Sequence, residues 1–269
     1  MKKYLVILSL LIFLGCKKNK DSVPGDLALS KQYMNNILIS EWTYGADGKI
    51  AREQSYNEQT GAIGYATAYE YDSYGRLLKE KQYDPANKLS AIVSYYRNSN
   101  GRVEKHEYLV MSGTDSGKIT VRVKYAYDFE GRIAKQSWVD LVTDKVEYTR
   151  EMHYYVNNNI KSVVGYNYYG GPAELKYRLT YTSGSDSLPP GLENRGGYIL
   201  DFRWPEFVAG EMDYKYYDGA LVDTEIKTIY KNRQYDEQGH LKSQTATLKH
   251  IIPIGADIVN EFRYEYIEL

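Results

Sequence analysis

The sequence predicts an all-β fold, a long antiparallel meander of repeated β-hairpins. Its twisted, curled sheet wraps into a bent or partly closed barrel-like shell. Three observations predict it. A turn motif returns along most of the chain, the segments between its copies alternate with period two, and tyrosine is the outlying residue, at 30 against 5 phenylalanines. Tyrosine favours strands, and it can keep its hydroxyl wet while its ring packs. A chain that prefers it so strongly has many half-exposed sheet positions.

The chain opens on a leader. Met1-Lys2-Lys3 is basic, Tyr4 to Leu14 is apolar, and Gly15-Cys16 follows. The apolar run is far shorter than the ~20 residues a spanning helix needs, and it fits the apolar region of an export signal. Phe13-Leu14-Gly15-Cys16 resembles the lipobox of bacterial lipoproteins, with Phe13 where a Leu is usual. The resemblance implies cleavage after residue 15 and acylation of Cys16, the single cysteine. Several acyl chains on one residue anchor stably, whereas one alone is marginal. With Cys16 consumed, no disulfide forms within the chain.

Residues 16–34 are polar, with Pro24 and Gly25, and read as a flexible tether. Some Bacteroidetes lipoproteins carry an acidic run here that sends them to the cell surface. Lys17, Lys18 and Lys20 make this run basic, so the membrane face is left open. The expected location is the outer membrane of a bacterial envelope. The charge is nearly balanced, 34 basic against 35 acidic side chains, and turns slightly more acidic once Lys2 and Lys3 leave with the leader. Nucleic acid is therefore not an expected partner.

Residues 35–269 read as one β domain. Its unit is clearest at Tyr69-Glu70-Tyr71-Asp72-Ser73-Tyr74-Gly75-Arg76-Leu77. Asp72 can accept bonds from the amides ahead of it and open a turn. Gly75 can take a positive φ and close it, as in a type I turn with a glycine bulge. Tyr125 to Ile133 repeats the unit with Asp128 and Gly131, and Tyr235 to Leu241 with Asp236 and Gly239. Partial copies stand at Trp42 to Ile50, Tyr95 to Val103 and Tyr154 to Ile160, the last with Asn158 for glycine. A shortened copy is expected at Tyr217 to Leu221. Turn positions 48, 75, 101, 131 and 158 recur every 26 to 30 residues, enough for two strands and two turns. Opposite-end turns are expected at Asn57 to Gly61, Asp84 to Asn87, Ser112 to Gly117, Thr143-Asp144 and Gly170 to Pro172.

Between turns, Ile63, Tyr65, Thr67, Tyr69 and Tyr71 share a face, as do Ile119, Val121, Val123, Tyr125 and Tyr127 against Thr120, Arg122 and Lys124. Ala173, Leu175, Tyr177, Leu179 and Tyr181 follow the same scheme. One face buries and the other meets water. The segment Arg76 to Tyr83 alternates less cleanly. A membrane-spanning barrel would need an unbroken lipid-facing band, which this pattern does not supply. Whether the sheet closes, wraps partly or stacks in flat layers stays open.

The pattern breaks at about residues 183–211. Gly196 to Phe207 mixes aromatics with breakers, either as a cap over a sheet end or as a binding insertion. The expected contact residues are Tyr198, Phe202 and Trp204, with Asp201 and Arg203 as polar partners.

The run Tyr-x-Tyr-Asp-x-x-Gly-Arg-(Leu/Ile) resembles the YD repeat of Rhs-type and teneurin-like proteins, and of small Bacteroidetes lipoproteins built from it. The likeness covers roughly residues 40–165 and 213–245. It implies a hairpin-built shell. In the large relatives the shell encloses a toxin, and this chain encodes no cargo domain.

No catalytic set emerges. His106, His153, His240 and His250 lack metal-ligand spacing, and no nucleophile elbow or P-loop is present. The turn aspartates supply too few oxygens for calcium. No metal, cofactor or enzymatic activity is expected. The expected function is a lipid-anchored envelope binding or scaffolding protein. Its ligand would be a glycan stacked on exposed rings or another envelope protein. The alternatives are an accessory subunit of an outer-membrane complex and, on the YD likeness alone, an immunity lipoprotein beside a toxin system.

Overall fold

The computed structural model describes residues 27–155, 160–168, 171–183 and 209–268. Sixteen strands account for nearly all of them. They are β1 (Leu27–Met34), β2 (Ile37–Tyr44), β3 (Ile50–Tyr56), β4 (Ile63–Tyr71), β5 (Leu77–Tyr83) and β6 (Leu89–Arg97). Next come β7 (Val103–Val110), β8 (Ile119–Tyr127), β9 (Ile133–Val139), β10 (Val146–Tyr154) and β11 (Ile160–Asn167). The last are β12 (Glu174–Ser183), β13 (Ala209–Asp218), β14 (Leu221–Tyr235), β15 (Leu241–Ile252) and β16 (Ile258–Glu268). Each pairs antiparallel with its neighbours in sequence, and β1 pairs with β16, so the meander closes into a barrel. Closure removes the edges that an open sheet would expose.

The closing strand corrects one expectation. Residues 16–34 do not form one tether, because Leu27–Met34 is β1, with Leu29 fully buried. Leu27 and Leu29 share the inner face, and a register slip after Leu29 then brings Gln32 inside, so β1 shows no simple alternation. Cys16 and the rest of that segment lie outside the described residues.

The motif turns within the described residues form as the sequence predicts; the one at Asn158 lies outside them. In the Asp72 turn, the Gly75 amide donates to the Asp72 carbonyl at 2.9 Å, and Gly75 takes φ 73°. Asp72 Oδ1 accepts from the amides of Tyr74 and Arg76, and Oδ2 accepts from Arg76 Nε at 2.8 Å. These bonds, led by the one from the Arg76 side chain, hold the Asp72 carboxyl below its usual range. Asp128 and Arg132 repeat the set. Asp236 does so with His240 in the arginine's place. Beside each motif turn the strand register slips, as between Glu70 and Tyr71 and between Ala126 and Tyr127.

Consecutive repeats interlock. The Tyr71 hydroxyl donates to the Ile50 carbonyl, Tyr127 to Val103, Tyr154 to Ile133 and Tyr266 to Leu241, all at 2.8–2.9 Å. Each acceptor is the first residue after the preceding motif turn in space. Arg97 stands where a tyrosine is expected and reaches Leu77 with its guanidinium instead. The motif glycine has a second role here. A Cβ on Gly131 would lie 2.6 Å from Arg102 Nη2, so the glycine leaves room for the preceding repeat's arginine as well as accepting φ 85°.

The described motif turns, Leu27, the end of β12 and the start of β13 all lie at one end of the barrel, because the hairpins alternate ends. Tyr217 to Leu221 therefore corrects a second expectation. Only Gly219 and Ala220 separate β13 from β14, a two-residue loop at the opposite end. Both apolar clusters sit in the half nearest the motif turns. One joins Leu29, Trp42, Ile50, Tyr69, Leu77 and Tyr264 among others, and the other Met152, Val163 and Tyr181.

An aromatic wall in the open mouth of the barrel

The core residues occupy one face of the sheet, which in a closed barrel is the inside. The other face carries charge. Lys105 and Arg122 both meet Glu107 at 2.8 Å, Lys135 meets Glu151 at 3.2 Å, and Lys227 meets Glu211 at 2.6 Å. Lys81 pairs with Glu70, which alternates with the inward Tyr69 and Tyr71. The exposed pairs Lys135–Glu151 and Lys227–Glu211 contribute at most about 1 kcal/mol each. Their consequence is for the surroundings: ion pairs interrupt the outer wall where a spanning barrel carries an apolar band.

Inside, burial falls along several strands. On the single inward face of β4, Tyr69 and Thr67 are 8% and 6% exposed, while Tyr65 and Ile63, nearer the opposite end, are 51% and 50% exposed. β8 runs from Val123 at 0% to Ile119 at 40%, and β16 from Tyr264 at 3% to Ile258 at 48%. Inward side chains are half exposed only where the lumen opens. The barrel is thus a cup, packed at the motif-turn end and open at the other. Leu221 at the start of β14, and Val142 and Ile254 on the loops, extend the apolar surface at that rim.

A belt of polar side chains lies against the packed floor. Glu53 accepts from Tyr69 at 2.8 Å and Glu80 from Tyr95 at 2.6 Å; His106 Nδ1 lies 2.6 Å from the Tyr125 hydroxyl, and Gln244 donates to Tyr264 at 2.8 Å. Each occupies the third position after the first residue of its strand. Gln136 holds the same position, is 1% exposed, and finds no hydrogen-bond partner among the described residues. The repeat that follows it has Met152 in place of the first tyrosine of its motif.

One wall of the mouth is aromatic. Trp138 on β9 meets Tyr148 on β10 edge-on at 5.0 Å. Tyr148 faces Tyr177 on β12 at 6.4 Å, and Tyr177 faces Tyr214 on β13 at 6.2 Å. The rings bridge β11 because Gly165 stands between them. A Cβ there would lie 2.5 Å from Tyr177 Cε1 and 2.6 Å from the Tyr148 hydroxyl. Glycine inside a strand marks such a close approach. All four rings are half-buried. Burial pushes the hydroxyls of Tyr177 and Tyr214 up, so they stay neutral donors at ordinary pH. Arg150, inward on β10, lies with its guanidinium carbon 4.8 Å from the Trp138 ring centre and 5.9 Å from that of Tyr148. Cation–π attraction holds it on the aromatic face, and its Nε donates to the Tyr148 hydroxyl at 3.5 Å.

The expected contact residues Tyr198, Asp201, Phe202, Arg203 and Trp204 lie outside the described residues. Tyr177 sat in the predicted alternation, but Trp138, Tyr148, Arg150 and Tyr214 were not singled out by the sequence. The available signal was Gly165 inside a strand flanked by aromatic strands.

No family model matches the chain, and no curated protein matches it. Solved structures share its fold. A porin-like protein from Bacteroides uniformis superposes with a TM-score of 0.53 at 14% identity, over 91% of this chain and 98% of that one. A porin-like protein from Bacteroides vulgatus gives 0.50 at 10% identity, over 91% and 100%. At these identities the likeness is one of fold.

Proposed function

We propose that this chain is a non-catalytic binding protein of the bacterial cell envelope, lipid-anchored at Cys16, that takes its ligand into the open mouth of the barrel. The observation that carries the reading is the gradient along single inward faces. Apolar side chains that are buried at the floor become half exposed at the mouth. Contiguous exposed apolar surface marks sites of interaction. The charged outer wall favours a barrel standing in water over one crossing a bilayer, which is why the anchor is assigned to the leader.

Chain direction sets the orientation. Cys16 precedes Leu27 by a short segment, and Leu27 enters at the motif-turn end. Residues 17–26 span at most about 35 Å when extended. The packed floor therefore faces the membrane and the mouth faces away. Loss of fatty-acid labelling in Cys16→Ser checks the anchor; labelling that persists removes it.

An apolar fluorescent dye tests the mouth. The full chain carrying Cys16→Ser is expected to bind it saturably, one dye per barrel. Adding Ile119→Asp and Ile258→Asp should weaken binding at least about tenfold, because each places a charge on the entry path. Undiminished binding by the folded double variant would contradict the reading.

A further inference from the structure

Resting on that reading, we propose that the motif-turn end seats itself on the membrane that holds the anchor, with Tyr74 and Phe129 inserted among the lipid headgroups. Both rings stand at the tips of motif turns and pack nowhere into the barrel: Tyr74 is 81% and Phe129 94% exposed. Neither ring is needed to make its turn. Asp72 with Gly75 and Asp128 with Gly131 do that, and the turn that Asp236 opens holds Glu237 and Gln238 at the same places. Two more apolar groups lie near them at this end. Leu78, which the register slip skips, is 41% exposed, and Tyr96, next to last in β6, is 43% exposed. Single exposed apolar side chains are ordinary, but these four belong to one sector, between β4 and β9, of one end. The carboxylates of the two turns are neutralised where they stand. Asp72 pairs with Arg76 at 2.7 Å, and Asp128 and Glu130 pair with Arg132 at 2.7 and 2.6 Å. A tyrosine at such a boundary keeps its hydroxyl wet while its ring meets the acyl region.

The ring order of the strands turns these contacts into a seat. The chain from Cys16 enters at β1. The Tyr74 turn lies about a quarter of the way round the closed sheet from β1, and the Phe129 turn about half way, across from it. An anchor and two rings at three separated points fix the plane of that end, which a tether alone leaves free to pivot. The mouth rim also exposes apolar groups, Val142, Leu221 and Ile254 among them. To turn those to the membrane, residues 17–26 would have to run back along the wall, where the nine residues of β4 extend about 30 Å. That consumes most of their ~35 Å reach and the freedom that goes with it.

The test places the mature lipoprotein in phosphatidylethanolamine–phosphatidylglycerol vesicles that contain a lipid with a nitroxide headgroup. Acylation occupies the Cys16 sulfur, so Ser99→Cys, in the turn between the two rings, and Leu221→Cys, at the mouth, each give one free thiol for a bimane label. The label at 99 should be quenched at least about threefold more strongly than the one at 221. Adding Tyr74→Ser and Phe129→Ser should remove that difference while the protein stays with the vesicles. All four positions are exposed, so the barrel keeps its fold. Equal quenching at the two labels, or a difference that survives the double substitution, would overturn the seat while the anchor stands. Stronger quenching at 221 would put the mouth on the membrane and overturn it as well. If the protein does not stay with the vesicles, anchor and seat fail together.

Discussion

At the scale of single residues, the barrel interior uses polar groups as joints. Glu53, Glu80, His106 and Gln244 of the belt each pair with a tyrosine of the following strand, which fixes the rings without a thick aliphatic core. His106 is the member with a pH-dependent consequence. It is held between Tyr95 and Tyr125, 5.6 Å from each ring centre, and burial lowers its pKa to about 4. An unfolded histidine titrates near 6.5. The folded state thus refuses a proton that the unfolded state accepts between these values. The stability tied to neutral His106 is complete above about pH 6.5 and is lost as pH falls toward 4, by up to about 3 kcal/mol. Urea unfolding at pH 7 and pH 4.5 checks this. His106→Gln should lose that share of the pH dependence, and an unchanged profile in the folded variant would contradict the assignment.

At the scale of elements, the hairpin is the unit, and much of it was legible. Asp72 with Gly75 and Asp128 with Gly131 name their turns because few other side chains supply both an amide-capping carboxylate and a positive φ. The strand between them was harder to read, and the register slip explains why. Leu77 and Glu80 are three apart, which period two would place on opposite faces. The slip beside the turn brings both inside, so Arg76 to Tyr83 looked irregular although it is built like its neighbours. β1 was hidden for another reason. A closing strand makes its contacts with β16, whose residues are more than 200 positions away, and local composition carries no trace of that. The closing contact predicts that Leu29→Asp costs about 3 kcal/mol or more, because it buries an uncompensated charge at a fully covered site. Hydrogen exchange should show β16 amides losing protection first. Retained stability would mean that β1 does not close the barrel.

At the scale of the whole molecule, an apolar lumen inside a charged wall gives the barrel an inside suited to a ligand and an outside suited to water. The sequence showed the two faces but not where the inner one is covered, since burial along a strand depends on what lies across the lumen. Ile63 and Thr67 share that inner face on β4, and they separate the mouth from the floor by four residues. With Cys16→Ser as background, Ile63→Cys and Thr67→Cys each give the chain one thiol, and their rates of reaction with a maleimide read the openness of the lumen directly. The cup predicts that the thiol at 63 reacts at least about tenfold faster than the one at 67. Equal rates at the two positions would contradict it.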